Sequence, residues 1–257
     1  MEKKVIIPST TGSDLHSILY TSLDNNHEKN VEKPPLLILC HGFAGDKYEW
    51  GRFPETALVC NKEGIDALIF DFSGSGENRR IPIRLYNQFG DLESIYRWVQ
   101  NHGYERISVL GLSFGGLTAL GANLPGIVTY IFWAPFFFLH TTEDRTDLFK
   151  DLDKGPVEIP TSGEGEPVFI DLSFMTDFAK FRVRSFLKKL DSPTLMIQGT
   201  IDKEVPLEFT RKAFNFLPET KDNKLIEVLN APHGFEDEHL KEFIKHSIAY
   251  LKKYLIV

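Results

Sequence analysis

A chain of 257 residues, 42% of them hydrophobic and 25% charged, is long enough to bury one sizeable core, or one core with a small appendage. Its formal charge of −7 argues against a nucleic-acid partner, since the basic doublets Arg79-Arg80, Lys188-Lys189 and Lys252-Lys253 are short, scattered and joined by no basic stripe. Two cysteines, Cys40 and Cys60, exclude a disulfide-rich scaffold, and no run of about eighteen uncharged apolar residues supplies an integral membrane segment, so a cytoplasmic location is expected.

From the N-terminus, the sequence predicts a strand over 3–7, a turn at Gly12-Ser13 and a strand over 16–22, followed by the polar link NNHEKNVEKPP. LLILC at 36–40 is a continuous apolar run of the kind found where both faces of a parallel sheet are covered. The same signature returns in DALIFDF around 66–72, ISVLGL around 107–112, IVTYIFW around 127–133, TLMIQG from 194 and KLIEVL around 224–229. Between these runs, PETALVCNKEG, QFGDLESIYRWVQNHG, EFTRKAFNFL and DEHLKEFIKHSIAYLKKYL repeat apolar residues at helical spacings of three and four. The alternation predicts an α/β fold, a mostly parallel central sheet covered by helices on both faces.

The rhythm breaks between about 135 and 190, at what would be the carboxyl end of a strand, the side on which open sheets place their sites. Ten of the 21 phenylalanines lie between Phe132 and Phe186, and PVEIP and PVFIDL, joined by TSGEGE, read as a small hairpin. The expected organisation is a core of residues 1–134 and 186–257 with an inserted cap or lid at 135–185. Most of its rings would form a mini-core, while Phe136, Phe137, Phe138 and His140 are the candidates for lining an apolar substrate pocket.

Four short motifs carry chemistry. In GLSFGG, Gly111 to Gly116, a serine sits between glycines at a strand-to-helix corner. The three glycines allow close backbone approach, which would expose the Ser113 hydroxyl above the sheet at a helix N-terminus. HGFAGD, His41 to Asp46, follows LLILC directly, and the Phe43 and Phe114 backbone amides could together receive a carbonyl oxygen as it becomes tetrahedral. His41 tempts as a general base, but a residue on that loop is poorly directed to take the serine proton and is read as structural. In GTIDKEVP, Gly199 to Pro206, Asp202 could orient an imidazole, with Glu204 as a solvent-facing or helix-capping neighbour. In APHGF, Ala231 to Phe235, His233 is the better base, and Gly234 would let its loop turn tightly. DFSGSGEN, Asp71 to Asn78, lacks the lysine and hydroxyl of a nucleotide loop and is read as a structural turn. The remaining histidines form no paired metal-binding pattern.

Taken together, these motifs resemble the α/β-hydrolase superfamily: GLSFGG its nucleophile elbow, HGFAGD its oxyanion loop, GTIDKEVP its acid loop and APHGF its histidine loop. The resemblance implies a triad of Ser113, Asp202 and His233, with Phe43 and Phe114 donating backbone N–H groups to an oxyanion. Within the superfamily the chain is similar to bacterial and archaeal carboxylesterases of the cinnamoyl or feruloyl esterase group, which carry a compact insertion at the position of 135–185. Leu112 and Phe114 depart from that group, where histidine and glutamine or methionine are frequent, so the acyl pocket would accept a different group. The expected activity is hydrolysis of small or medium apolar or aromatic acyl esters, hydroxycinnamates among them, through an acyl-enzyme and without a metal or organic cofactor. Thioester, peptide and lipid-ester hydrolysis, and a non-catalytic binding role, are the alternatives. The expected partner is a small-molecule ester, and the protein a monomer or homodimer.

Overall fold

The structure, a computed structural model, describes residues 1–22, 33–139, 151–161, 165–219 and 221–256. The N-terminal runs pair as an antiparallel hairpin, β1 (Glu2–Pro8) with β2 (Asp14–Tyr20), turning at Gly12 with φ 86°. The apolar runs become β3 (Leu36–Cys40), β4 (Asp66–Phe70), β5 (Ile107–Leu112) and β6 (Tyr130–Trp133). Within the insertion, β7 (Val157–Ile159) and β8 (Val168–Ile170) form the expected hairpin as a separate two-stranded sheet, and β9 (Thr194–Gly199) and β10 (Lys224–Val228) return to the main one. The main sheet has eight strands in the order β1-β2-β4-β3-β5-β6-β9-β10, antiparallel only where β2 meets β1 and β4.

Helices cover both faces because successive strand side chains point to opposite sides. Leu36, Ile38 and Cys40 of β3 enter one core, where α2 (Leu85–Asn101) and α3 (Phe114–Ala122) pack with the insertion; Leu37 and Leu39 enter the other. On that second face lie α1 (Arg52–Lys62) and the C-terminal helix, where the buried Trp133 of β6 donates from Nε1 to Ser247 Oγ at 2.9 Å. Both cysteines are free and buried, and burial pushes the Cys60 thiol up to about 12 and Cys40 higher still.

The insertion holds more than the expected hairpin. Asp171 accepts from the Ser173 amide at 2.8 Å and so caps α4 (Leu172–Lys180), which is followed by α5 (Val183–Lys189), a helix that runs across residue 185. The next helices are α6 (Leu207–Phe214) and α7 (Asp237–Leu255). The insertion is tied to the core by main chain and by charge: the Ile83 amide donates to Phe169 O at 2.7 Å, and Arg84 Nη2 lies 3.1 Å from Asp177 Oδ1. Among the described residues no helix is long and apolar enough to cross a membrane.

β4 ends at Phe70, two residues short of the apolar run; the Asp71 amide still donates to His16 O of β2 at 3.0 Å, and beyond it the chain turns around the Asp71 carboxylate. That carboxylate is fully buried, with Oδ1 accepting from Lys47 N at 2.7 Å and Oδ2 from Lys47 Nζ at 2.6 Å and Glu77 N at 2.9 Å. Gly76, at φ 55°, has no room for a side chain, since a Cβ there would stand 2.1 Å from that carboxylate. The DFSGSGEN turn is thus a structural clasp joining the HGFAGD loop to the sheet. Burial acts to lower the Lys47 pKa, but Asp71 and Glu77 outweigh it and the value is raised. Asp71→Asn should destabilise the protein by about 3–5 kcal/mol in urea unfolding, as expected when one partner of a buried pair is neutralised. Because the lysine value is raised, its contribution is complete around neutral pH and is lost only as pH climbs through that value. An unchanged urea midpoint for Asp71→Asn would contradict this account.

Candidate active site

β3 and β5 are hydrogen-bonded neighbours, with Cys40 opposite Gly111, so the loops leaving their carboxyl ends lie side by side. β3 continues into HGFAGD and β5 into Ser113. Ser113 adopts φ 51° and ψ −116°, a conformation that costs a non-glycine residue about 1–3 kcal/mol and is over-determined by its surroundings. Its amide donates to Trp133 O at 2.8 Å, and its carbonyl accepts from Gly116 N at 3.0 Å and Phe136 N at 2.9 Å. The glycines around it are spatial requirements: a Cβ on Gly115 would stand 2.2 Å from Cys40 O, and one on Gly111 would stand 2.5 Å from Gly115 O. These contacts turn the Ser113 side chain into a cavity of about 420 Å³ that it shares with Phe43, Leu112, His233 and Gly234.

His233 lies on the loop after β10. Its Nδ1 is 2.8 Å from Asp202 Oδ2, and its side chain is 23% exposed, whereas that of Asp202 is fully buried. The carboxylate accepts three further hydrogen bonds, from Glu204 N at 2.9 Å, Val205 N at 2.8 Å and Gln198 Nε2 at 2.8 Å. Gln198 is itself fixed, its Oε1 accepting from Thr210 Oγ1 at 2.6 Å. An acceptor held by four donors leaves its imidazole partner one orientation, with Nδ1–H toward Asp202 and Nε2 left for the cavity. The acid and histidine loops are pinned together at Gly199, where a Cβ would stand 2.1 Å from Ala231 O. Phe235 anchors the histidine loop by stacking on Phe243 at 3.8 Å. Gly234 is less demanding than its sequence suggests, having open space around its Cα and no positive φ.

His41 is 1% exposed and has both ring nitrogens engaged, Nδ1 with Gly42 O at 2.8 Å and Nε2 accepting from Phe72 N at 3.0 Å. It is therefore a strut and no base. Gly45 N also donates to Gly42 O, at 3.2 Å. A peptide unit is planar and trans, so fixing the Gly42 carbonyl fixes the Phe43 N–H in the opposite direction. Among the described residues no hydrogen bond engages the Phe43 or Phe114 amide.

Helix α4 lays its rings over these two residues. Phe174 lies 5.5 Å from Phe43 and 5.7 Å from Phe114 between centroids, and Phe178 lies 5.6 Å from Phe114. Phe136 packs edge-on against Phe178 at 6.1 Å, and Phe137 is buried against Phe132 at 5.1 Å. Phe137 and Phe138 line a separate, mostly apolar cavity of about 440 Å³ with Met175 and Phe178, and the structure does not bring Phe136, Phe137 or Phe138 to the cavity of Ser113. His140 lies outside the described residues. The residues that complete the Ser113 cavity are Glu49, Trp50, Arg52, Glu204 and Glu236, with Gly42 of the HGFAGD loop. The first three escaped the sequence reading, and the only signal for them was a carboxylate three residues before an arginine near the start of a helix.

Comparison with known proteins bears on the family and the fold. The profile of the alpha/beta hydrolase fold matches residues 35–122, and that of the prolyl oligopeptidase family matches residues 84–256. With that match spanning more than half of its length, the chain belongs to the prolyl oligopeptidase family, within the α/β-hydrolase superfamily. Among solved structures, it is similar to Est1E from Butyrivibrio proteoclasticus with ferulic acid bound, at 19% identity and a TM-score of 0.76, covering 98% of this chain and 100% of that one. It is also similar to the α/β hydrolase GrgF from Penicillium sp. sh18, at 19% identity and a TM-score of 0.79, covering 100% of both chains. Identities this low make both likenesses of fold. An uncharacterised 31.7 kDa Escherichia coli protein from the traX-finO intergenic region is 33% identical over 97 residues, which is 35% of this chain and 32% of that protein. The chain therefore matches about a third of that relative's length.

The ring geometry is directly observable. Nitrogen-15 NMR above neutral pH should find His41 and His233 both as Nδ1–H tautomers, His41 with Nε2 hydrogen-bonded and His233 with Nε2 open. An Nε2–H tautomer at His41 would contradict the strut.

Proposed function

We propose that the protein is a serine carboxylesterase that hydrolyses small or medium apolar or aromatic acyl esters. The observation that carries this reading is the 2.8 Å contact between His233 Nδ1 and the four-donor Asp202 carboxylate, in the cavity that also holds Ser113 on its strained turn. His233 Nε2 takes the Ser113 proton as the hydroxyl oxygen attacks the ester carbonyl, and the Phe43 and Phe114 amides receive the developing oxyanion. The imidazolium returns the proton to the departing alcohol. Water, deprotonated by the same imidazole, then attacks the acyl-enzyme and releases the acid and free Ser113, while Asp202 keeps the ring in one tautomer. The helix α3 N-terminus favours the negative charge at this point. In this reading residues 135–185 form the cap, and α4 is the part of it that meets the oxyanion residues.

Hydroxycinnamate esters belong among the candidate substrates because the fold relative Est1E binds ferulic acid. A peptide-hydrolase reading has its own support, the prolyl oligopeptidase match over 84–256. One panel separates them: initial rates on short-acyl, longer-acyl, methyl hydroxycinnamate, thioester and peptide substrates. Ester turnover should exceed peptide turnover; preferential amide cleavage would overturn the ester assignment. Ser113→Ala should lower kcat by about 10⁴-fold or more, and Asp202→Asn by about 10⁴-fold through loss of the correct tautomer. Ester hydrolysis that survives Ser113→Ala would refute the mechanism.

A further inference from the structure

Beneath the HGFAGD loop lies a charged pair that the mechanism has not used. Glu49 is 1% exposed and the Arg52 side chain 7%, and Arg52 Nη2 lies 3.1 Å from Glu49 Oε2. Arg52 Nε also donates to Glu49 O at 3.0 Å. The other carboxylate oxygen, Oε1, accepts from Gly42 N at 2.5 Å. It fills the inside of the loop: a Cβ on Gly45 would stand 2.6 Å from Oε1, and one on Gly42 would meet both Oε1 at 3.4 Å and Ser113 Cβ at 3.5 Å. The carboxylate and the Ser113 side chain thus flank the same glycine.

Two features separate this pair from an ordinary buried ion pair. First, it is delivered by strained backbone: Glu49, Trp50 and Gly51 have φ values of 45°, 53° and 91°, the first two in a left-handed conformation unfavourable for their side chains. Second, it reaches both sides of the site. The Arg52 guanidinium lies 5.3 Å from the Phe235 ring centroid, two residues beyond His233, and 4.8 Å from that of Trp50. One end of the pair therefore holds the peptide that precedes Phe43, and the other rests on the ring that anchors the histidine loop. A buried pair of this kind adds little net stability compared with apolar side chains of similar volume, so its placement is better explained by the conformation it specifies.

We infer that Glu49 and Arg52 are positioning residues that hold the oxyanion loop and the histidine loop in register around Ser113. The inference rests on the proposed esterase reading. In this arrangement Glu49 fixes the amide of Gly42 while His41 and Gly45 N fix its carbonyl, so the Phe43 N–H meets the oxyanion without reorganising. Neither residue exchanges a proton with substrate.

The test compares Glu49→Gln, Arg52→Lys and Ser113→Ala with wild type, each on a short-chain ester and on the matching thionoester, in which sulfur replaces the carbonyl oxygen and depends less on the oxyanion N–H groups. Glu49→Gln keeps the shape and an acceptor for Gly42 N while removing the charge that holds Arg52. Its kcat on the ester should fall by about 10- to 100-fold, the loss expected when reacting groups are misplaced by an ångström or less, with KM little changed. The deficit should shrink on the thionoester, and the thermal midpoint should fall, because the neutral amide leaves the buried Arg52 charge uncompensated. Arg52→Lys, which keeps the cation but gives up the planar fork and the ring stacking, should show the same pattern to a smaller degree. Wild-type kcat in both variants would overturn the inference, and so would equal losses on ester and thionoester. If Glu49→Gln is unfolded, Arg52→Lys decides alone. Absence of Ser113-dependent turnover in the wild type would instead overturn the esterase reading, which distinguishes the two failures.

Discussion

The site depends on one backbone contact, the seating of the turn after β5 against the end of β3. Gly115 lies so close to Cys40 O and His41 O that a Cβ would stand 2.2 and 2.4 Å from them, and Gly111 faces Gly115 just as tightly. No side chain can enter this junction, so the first turn of α3 rests on strand ends, and Ser113 is left with φ 51° at the top of the sheet. The same seating brings the Phe114 amide beside the HGFAGD loop. Strain at a single serine is tolerable because three backbone hydrogen bonds surround it, to Trp133 O at the end of β6, Gly116 N in α3 and Phe136 N in the loop after β6.

Every other component is brought to that point by a loop whose own geometry is fixed from behind. Asp71 and Lys47 clasp the HGFAGD loop to the sheet, His41 fixes the Gly42 carbonyl, and Gln198 and two backbone amides hold Asp202. These supports are buried polar groups with their hydrogen bonds made, which is the condition under which such groups rigidify a structure. Phe174 and Phe178 from α4 pack aromatic surface against Phe43 and Phe114, and Phe43 shares the cavity lining with the charged side chains of Glu49, Arg52, Glu204 and Glu236.

Much of this was legible in the sequence, for identifiable reasons. LLILC, TLMIQG and ISVLGL read as buried strands because both faces of the sheet are covered, and β3 and the last helix follow the expected limits closely. The four loops that meet at the site follow strands, and their glycines and polar residues stand out against apolar runs. The DFSGSGEN turn was legible as structural because it lacks the residues of a nucleotide loop, whereas the clasp that Asp71 makes with Lys47 took the fold to show. What sequence could not convey was set by tertiary packing. DALIFDF gave no sign that its last residues would leave the sheet for a carboxylate-centred turn, and α4 needed its Asp171 cap to be recognised. Phe136 to Phe138 were placed by proximity along the chain, whereas the space beside Phe43 and Phe114 is filled by the rings of Phe174 and Phe178, further along the insertion. Glu49 and Arg52 form a pattern common on exposed helices, and only the fold shows that they are buried under the loop.

The central claim, that the fold activates the hydroxyl of Ser113, is most directly tested by covalent trapping. The folded protein would be treated with a fluorophosphonate ester, its intact mass measured, and the labelled peptide sequenced. The account predicts one adduct per chain, on Ser113, formed rapidly in wild type and abolished by Ser113→Ala or by prior unfolding. No adduct, or an adduct on another residue that forms equally well in Ser113→Ala, would contradict it.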